Sequence, residues 1–177
     1  MKKTKRTTKR SLAIKMASIS ERLDLCENFS DVFALVKKSA ERSLGQRRAG
    51  LMLYLARLPN EIGAFHTVGS NGIVMNRNML DNVTHGAHSL REINSYVYSI
   101  LLHEYLHALG HVEEQDARRL VYDISLETFG PDHPATKIAS KGPRSIFPSI
   151  VFDEPPSETP DIEMIPDLER SSHKYIS

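Results

Sequence analysis

The sequence predicts an α+β domain, with a small mixed or antiparallel sheet packed on one long histidine-bearing helix and further helices behind it. Three observations predict it. Apolar residues recur at three- and four-residue steps near both ends of the central region. Between those stretches lie three short apolar runs, two of them separated by a four-residue turn. The chain has 177 residues, 40% of them hydrophobic, enough for one domain with a sizeable core and tails to spare.

The elements follow in order. From Ser11 to about Lys38 the residues Leu12, Ile14, Met16, Ile19, Leu23, Val32, Leu35 and Val36 mark a helical pattern. Ser30-Asp31 is the expected break and N-cap between two helices, and the second should stop near Gly45. Gly50 to Ala56 reads as a buried strand, and Pro59-Asn60 turns the chain. Gly63 to Val68 and Gly72 to Asn76 are strand candidates joined by the hairpin turn Gly69-Ser70-Asn71-Gly72. Asn78 to His88 reads as a loop.

Ser89-Leu-Arg-Glu92 has the spacing of a capping box, in which the serine accepts from a first-turn amide and Glu92 reaches back. It opens a long helix through Leu109, with Gly110 suited to the left-handed end. A further helix should run from about Glu113 to Phe129 before Gly130-Pro131, and a short one should start at Pro134. After Pro148 the chain is rich in Pro, Ser and acid, and a disordered tail is expected. The expected organisation is a basic disordered N-terminus at 1–10, a domain at 11–148 and an acidic Pro-rich tail at 149–177.

Charge follows the same division. Residues 1–10 hold six Lys/Arg and no acid, residues 151–177 hold seven Asp/Glu against two Lys/Arg, and the middle is balanced. The basic head could touch nucleic acid or an anionic surface. The segment reads as a solvated chain end, so no nucleic-acid partner is expected. No run of 18 apolar residues is present, and Lys15 interrupts the short apolar stretch after the basic head. No membrane partner and a cytoplasmic location are expected. The single cysteine, Cys26, excludes an internal disulfide or a thiolate cluster and reads as a small apolar group on a helix face. Any metal must be held by imidazoles and carboxylates.

His103-Glu104-Tyr105-Leu106-His107 is an HExxH motif on the long helix. Residues four apart lie on one helical face, so both imidazoles can reach one ion. Glu104 lies beside them and is placed to hydrogen-bond a metal-bound water, take its proton as it attacks a carbonyl, and return that proton to a leaving amine. Glu104 is therefore the expected catalytic base, and His103 and His107 the expected ligands.

This segment resembles the active-site helix of the zincin metallopeptidases. The order helix, strand, hairpin, HExxH helix over about residues 30–130 is similar to the upper half of that fold. The resemblance implies one catalytic Zn2+, a peptide or protein substrate, and a sheet whose edge strand binds that substrate as an added strand. The expected edge is Gly72 to Asn76, with Gly63 to Val68 as the other candidate. A third protein ligand is required, and three residues compete for it. His111 fits by residue type but lies about 6 Å further along the helix axis unless Gly110 redirects the chain. Glu113 completes a pattern similar to that of the metzincins, with Glu in place of the last His and no Met soon after. Glu114, opening Glu114-Gln-Asp-Ala117, resembles the ExxA segment of the gluzincins, at an unusually short distance from His107. Glu114 is taken first, and Glu127 is a distant option.

Of the remaining candidates, His66 could contact substrate or simply pair within its strand. Tyr105 suggests packing. Tyr122 and His133 lie where zincins carry an oxyanion donor. His85 and His88 look like loop residues. The expected function is a zinc-dependent metallopeptidase, in one form a protease that cuts a single partner. The alternative is a non-catalytic or regulatory zinc-binding interaction protein on the same scaffold.

Overall fold

The computed structural model describes residues 18–150, 161–166 and 168–169. The basic head, the helical pattern at Leu12, Ile14 and Met16, and the Pro-rich stretch Asp153 to Pro160 lie outside the described residues. Within them the chain is α+β, with six α-helices and a four-stranded mixed sheet. The helices are α1 (Ile19–Asp24), α2 (Phe29–Leu44), α3 (Arg77–Gly86), α4 (Leu90–Ala108), α5 (Glu114–Phe129) and α6 (Pro134–Lys141). The strands are β1 (Met52–Ala56), β2 (Ala64–His66), β3 (Gly72–Asn76) and β4 (Glu163–Ile165), and a 3-10 turn spans Pro143–Ser145.

The break before α2 falls two residues earlier than expected. Asn28 is the cap, its Oδ1 accepting from the Asp31 amide at 2.8 Å, while Asp31 accepts from the Glu27 amide at 3.2 Å. Ser30 lies inside the helix and is buried. Cys26, expected as a small apolar group on a helix face, is buried but sits just after α1, its thiol donating to the Arg22 carbonyl. Gly45 ends α2 at φ +66°, the left-handed geometry its position calls for.

The sheet order is β2-β3-β1-β4. β1 and β3 are parallel, with Leu53 opposite Ile73, whereas β2 on β3 and β4 on β1 are antiparallel. Alternation sorts the side chains: Leu53, Leu55, Ile73, Met75 and Ile165 face the core, while Tyr54, Val74, Phe65 and Met164 face outward. This order corrects the edge assignment. β3 is internal, held between β2 and β1, so Gly72 to Asn76 offers no free edge. The second candidate forms the edge, shortened to Ala64–His66.

The segment read as a loop contains α3. Its apolar residues Met79, Leu80 and Val83 are buried. Asn78, Asn82, Thr84 and Gly86 are weak helix formers, which hid the pattern. Burial of one face outweighs their propensity, and Asn76 starts the helix by accepting from the Asn78 amide at 3.0 Å. Asn76 is fully buried and organises the preceding loop as well. Its Nδ2 donates to the carbonyls of Leu58, Pro59 and Ile62, and its Oδ1 accepts from the Leu58 amide.

Part of the expected tail is also ordered. β4 pairs with the outer side of β1, Tyr54 lying opposite Met164. Ile165 and Leu168 join the core. Glu169 accepts from the Gly50 amide and pairs with Lys37, and Arg77 pairs with Glu163. An unpaired edge of β1 would leave a row of amides and carbonyls open, and three residues of the acidic segment cover it. The tail strand therefore lies at the opposite edge of the sheet from β2.

Helix α4 is central, touching the other five helices as well as β2 and β3. Tyr96, Val97, Tyr98, Leu101, Leu102, Tyr105 and Leu106 on it are all buried without exposure. Ser89 caps it as expected, accepting from the Glu92 amide at 3.3 Å, but Glu92 reaches back to His88 rather than to Ser89. No helix among the described residues is long and apolar enough to cross a membrane.

Candidate metal centre

The last two turns of α4 carry His103, Glu104 and His107. Two neighbouring faces of the helix are used. Glu104 is only 5% exposed, and it lines, with the two imidazoles, a cleft of about 1040 Å³. Their Nε2 atoms are 3.1 Å apart. The Oε2 of Glu114, the first residue of α5, stands 3.3 Å from each. One ligand atom from each of these three residues falls within 4.8 Å of the others.

The turn between α4 and α5 makes this possible. Gly110 adopts φ +104°, a value that L side chains rarely take. The chain reverses there, with the His111 amide donating to the Leu106 carbonyl at 3.0 Å. The His111 carbonyl then accepts from Nδ1 of His107 at 2.8 Å. A carbonyl can only accept, so this bond places the ring hydrogen on Nδ1 and leaves the Nε2 lone pair directed at the cluster.

The three competitors for the third position are thereby separated. The His111 ring turns away and bonds the Gln46 side chain at 2.8 Å. Glu113 is the cap residue of α5 and makes no side-chain capping bond. Glu114 alone of the three joins the histidine pair. Its other oxygen, Oε1, accepts from Arg118 Nε at 2.8 Å. Partial burial would raise the Glu114 carboxyl, but Arg118 and His103 together hold it below the usual carboxylate range. Burial lowers the His103 ring against the opposing pull of Glu114.

Burial pushes the Glu104 carboxyl up to about 7, with the His107 ring opposing the rise. The carboxylate accepts from the backbone N–H of His66 on β2. Its Oε2 is buried without a hydrogen-bond partner among the described residues. Such an atom is costly to leave unpaired and calls for a donor arriving from the cleft. Two imidazole nitrogens, one carboxylate oxygen and a neighbouring unpaired carboxylate suit a divalent ion such as zinc with a water beside it.

β2 forms one wall of the cleft, with Ile62 to His66 all lining it. The Asn76 amide donates to the Gly63 carbonyl at 2.8 Å, which fixes the phase of the β2–β3 pairing. Antiparallel pairs alternate, so the amides and carbonyls of Ala64 and His66 point away from β3, toward the cleft. The His66 ring itself bonds the Gly72 carbonyl at 2.9 Å, the paired-strand arrangement.

The structure also separates the other candidates. Tyr122 lines the cleft. His133 does not; it is 3% exposed, caps α6 through Nδ1 and stacks on Phe129. Tyr105 packs edge-on against Phe33, and its hydroxyl bonds both the N–H and the carbonyl of Arg48. Glu127 pairs with Arg42 and Ser43. His85 lies on α3, and His88 lies just before the cap of α4. Neither lines the cleft.

Two residues that support the site's surroundings were not anticipated from sequence. Arg118 was legible in principle, since an Arg four residues after a Glu on a helix faces it. Arg48 was not. Its guanidinium bonds the Ala108 carbonyl, the Ser70 carbonyl and Asn71 Oδ1, tying the end of α4 to the β2–β3 turn across more than twenty residues. No family model matches the chain, and no curated protein or solved structure matches it.

Proposed function

We propose that the chain is a zinc-dependent peptidase. The observation that carries this reading is the meeting of His103, His107 and Glu114 beside a buried Glu104 with one unpaired oxygen, in a cleft walled by an open strand edge. His103, His107 and Glu114 would hold the ion. When bound, zinc acidifies water and polarises a carbonyl.

The chain's own groups would do the rest. The outward amide and carbonyl of Ala64 and the outward carbonyl of His66 would take an extended peptide as an added strand, which brings one of its carbonyls over the histidine pair. Glu104 Oε2 would accept a proton from the attacking water and deliver it to the departing amine. The His66 N–H bonds that carboxylate, and its Oε2 has no hydrogen-bond partner among the described residues. A purely structural zinc site would have four protein ligands. Here a fourth ligand is absent among the described residues, and a carboxylate stands next to the open side.

The test is elemental analysis of the purified chain together with mass spectrometry of a peptide library incubated with it. About one zinc per chain, lost in His103→Ala and kept in Glu104→Gln, with cleavage abolished by both, is the expected result. Wild type that takes up no stoichiometric zinc would refute the reading. Wild type that binds zinc, with Glu104→Gln cleaving as well as wild type, would refute the role of Glu104.

A further inference from the structure

The three candidate ligands are held in different ways. His103 and His107 are fixed by α4 and are mostly buried, with side chains 19% and 15% exposed. Glu114 is 53% exposed and sits in the first turn of α5. Apart from the two imidazoles, its side-chain contact among the described residues is Arg118, one turn further along α5. The guanidinium Nε takes Oε1 at 2.8 Å, while Oε2 faces both imidazoles at 3.3 Å. The carboxylate is thus divided, one oxygen to the arginine and one to the cluster.

We infer that Arg118 is a positioning residue that makes Glu114 a one-oxygen ligand. The inference rests on the zinc reading above. A carboxylate with both oxygens free can bind an ion through both, which fills an extra coordination position. Two nitrogens and one oxygen leave a tetrahedral ion one open position for water or substrate. Engaging Oε1 on Arg118 keeps that position open. The arginine side chain is 73% exposed, so as a surface i,i+4 pair it contributes little to stability by itself. Its effect should therefore show on the metal and not on folding.

The experiment loads the full chain with zinc and, separately, with cobalt(II) as a spectroscopic probe. Wild type is compared with Arg118→Ala, Arg118→Lys and Glu114→Ala. Tetrahedral cobalt(II) absorbs more strongly in the visible than cobalt with five or more ligands. In Arg118→Ala the visible bands should weaken as Oε1 turns to the ion, and zinc affinity should fall roughly 10- to 100-fold, as for loss of an outer-shell partner. The thermal midpoint of the metal-free chain should not move. Arg118→Lys, which keeps a donor for Oε1, should restore most of the absorption. Stoichiometric metal in wild type with an unchanged cobalt spectrum in Arg118→Ala would overturn the inference and leave the site standing. Absence of stoichiometric metal in wild type would overturn the site and the inference together.

Discussion

Nδ1 of His107 and the carbonyl oxygen of His111 stand 2.8 Å apart, and only the ring can supply the hydrogen. His111, a candidate ligand by residue type, thus serves the cluster through its backbone while its side chain goes to Gln46. The contact joins a helix end, a glycine turn and a candidate metal ligand in one unit.

The ligand set follows from this arrangement. His111→Ala and Glu113→Ala should keep zinc near one per chain, because neither residue is part of the cluster. Glu114→Ala should weaken zinc by more than the roughly 10- to 100-fold typical of an outer-shell loss. Competition titration with a chelator measures all three. Zinc lost in His111→Ala and retained in Glu114→Ala would show that the ligand has been misassigned.

Gly110→Ala should destabilise the turn. A methyl group there meets nothing within 4 Å, so the penalty comes from φ +104° and not from crowding. Strain of that kind costs about 1–3 kcal/mol. If the backbone relaxes instead, the His111 carbonyl shifts and zinc binding weakens. Denaturant midpoints and zinc affinity, measured side by side, should show at least one of these losses.

Asn76→Ala should be among the most damaging single changes. It removes five hydrogen bonds at a fully buried position and leaves the carbonyls of Leu58, Pro59 and Ile62 without that donor. Each unsatisfied buried group costs about 1–3 kcal/mol, so a total loss of about 3 kcal/mol or more is expected in urea unfolding. A loss under about 1 kcal/mol would mean that water replaces the side chain.

Acid should weaken the fold through His133. Its Nδ1 accepts from the Ala135 amide, which requires the neutral ring, and Nε2 faces Asp24 at 3.9 Å. Burial, with the Arg91 charge nearby, lowers this ring to about 4. The unfolded ring titrates near 6.5. Between these values the unfolded chain takes a proton that the folded chain refuses, so stability is full above about 6.5 and falls as pH drops toward 4. The loss amounts to about 2–3 kcal/mol.

Glu104, raised to about 7, acts in the opposite sense, since its folded form gains a proton before its unfolded form does. The measurement is therefore the difference between wild type and His133→Asn, which keeps a capping acceptor without the titration. Urea midpoints at pH 7.5 and 4.5 should show a smaller acid loss in the variant.

Arg48→Ala should loosen the link between the end of α4 and the β2–β3 turn. Three guanidinium contacts are lost. Hydrogen bonds to a charged donor are worth about 1.5–3 kcal/mol each when well shielded, and partial exposure reduces this, so about 2–3 kcal/mol in all is expected. Hydrogen exchange at residues 64–76 should speed up before exchange at Tyr96 to Leu102 does. Equal acceleration of both would indicate global destabilisation in place of a local clamp.

Local spacing determined much of this protein. The HExxH register puts two imidazoles on one helical face wherever the helix packs, because 3.6 residues per turn is a backbone property. The hairpin at Gly69 to Gly72, the ends at Gly45, Gly110 and Gly130, and the start at Pro134 were legible for the same reason: each depends on the φ that one residue can adopt.

What lay beyond the sequence were choices between distant partners. Only the folded chain decides that Glu114, and not His111 or Glu113, meets the histidines, because the turn at Gly110 sets the direction in which α5 departs. Only pairing places β3 inside the sheet and leaves β2 as the edge beside Glu104. The residues at 163–165 read as tail because three residues carry no period, yet an open edge of β1 gives them a place. Likewise the weak helix formers of α3 are held by burial of Met79, Leu80 and Val83 and by Asn76, contacts that local propensity does not contain.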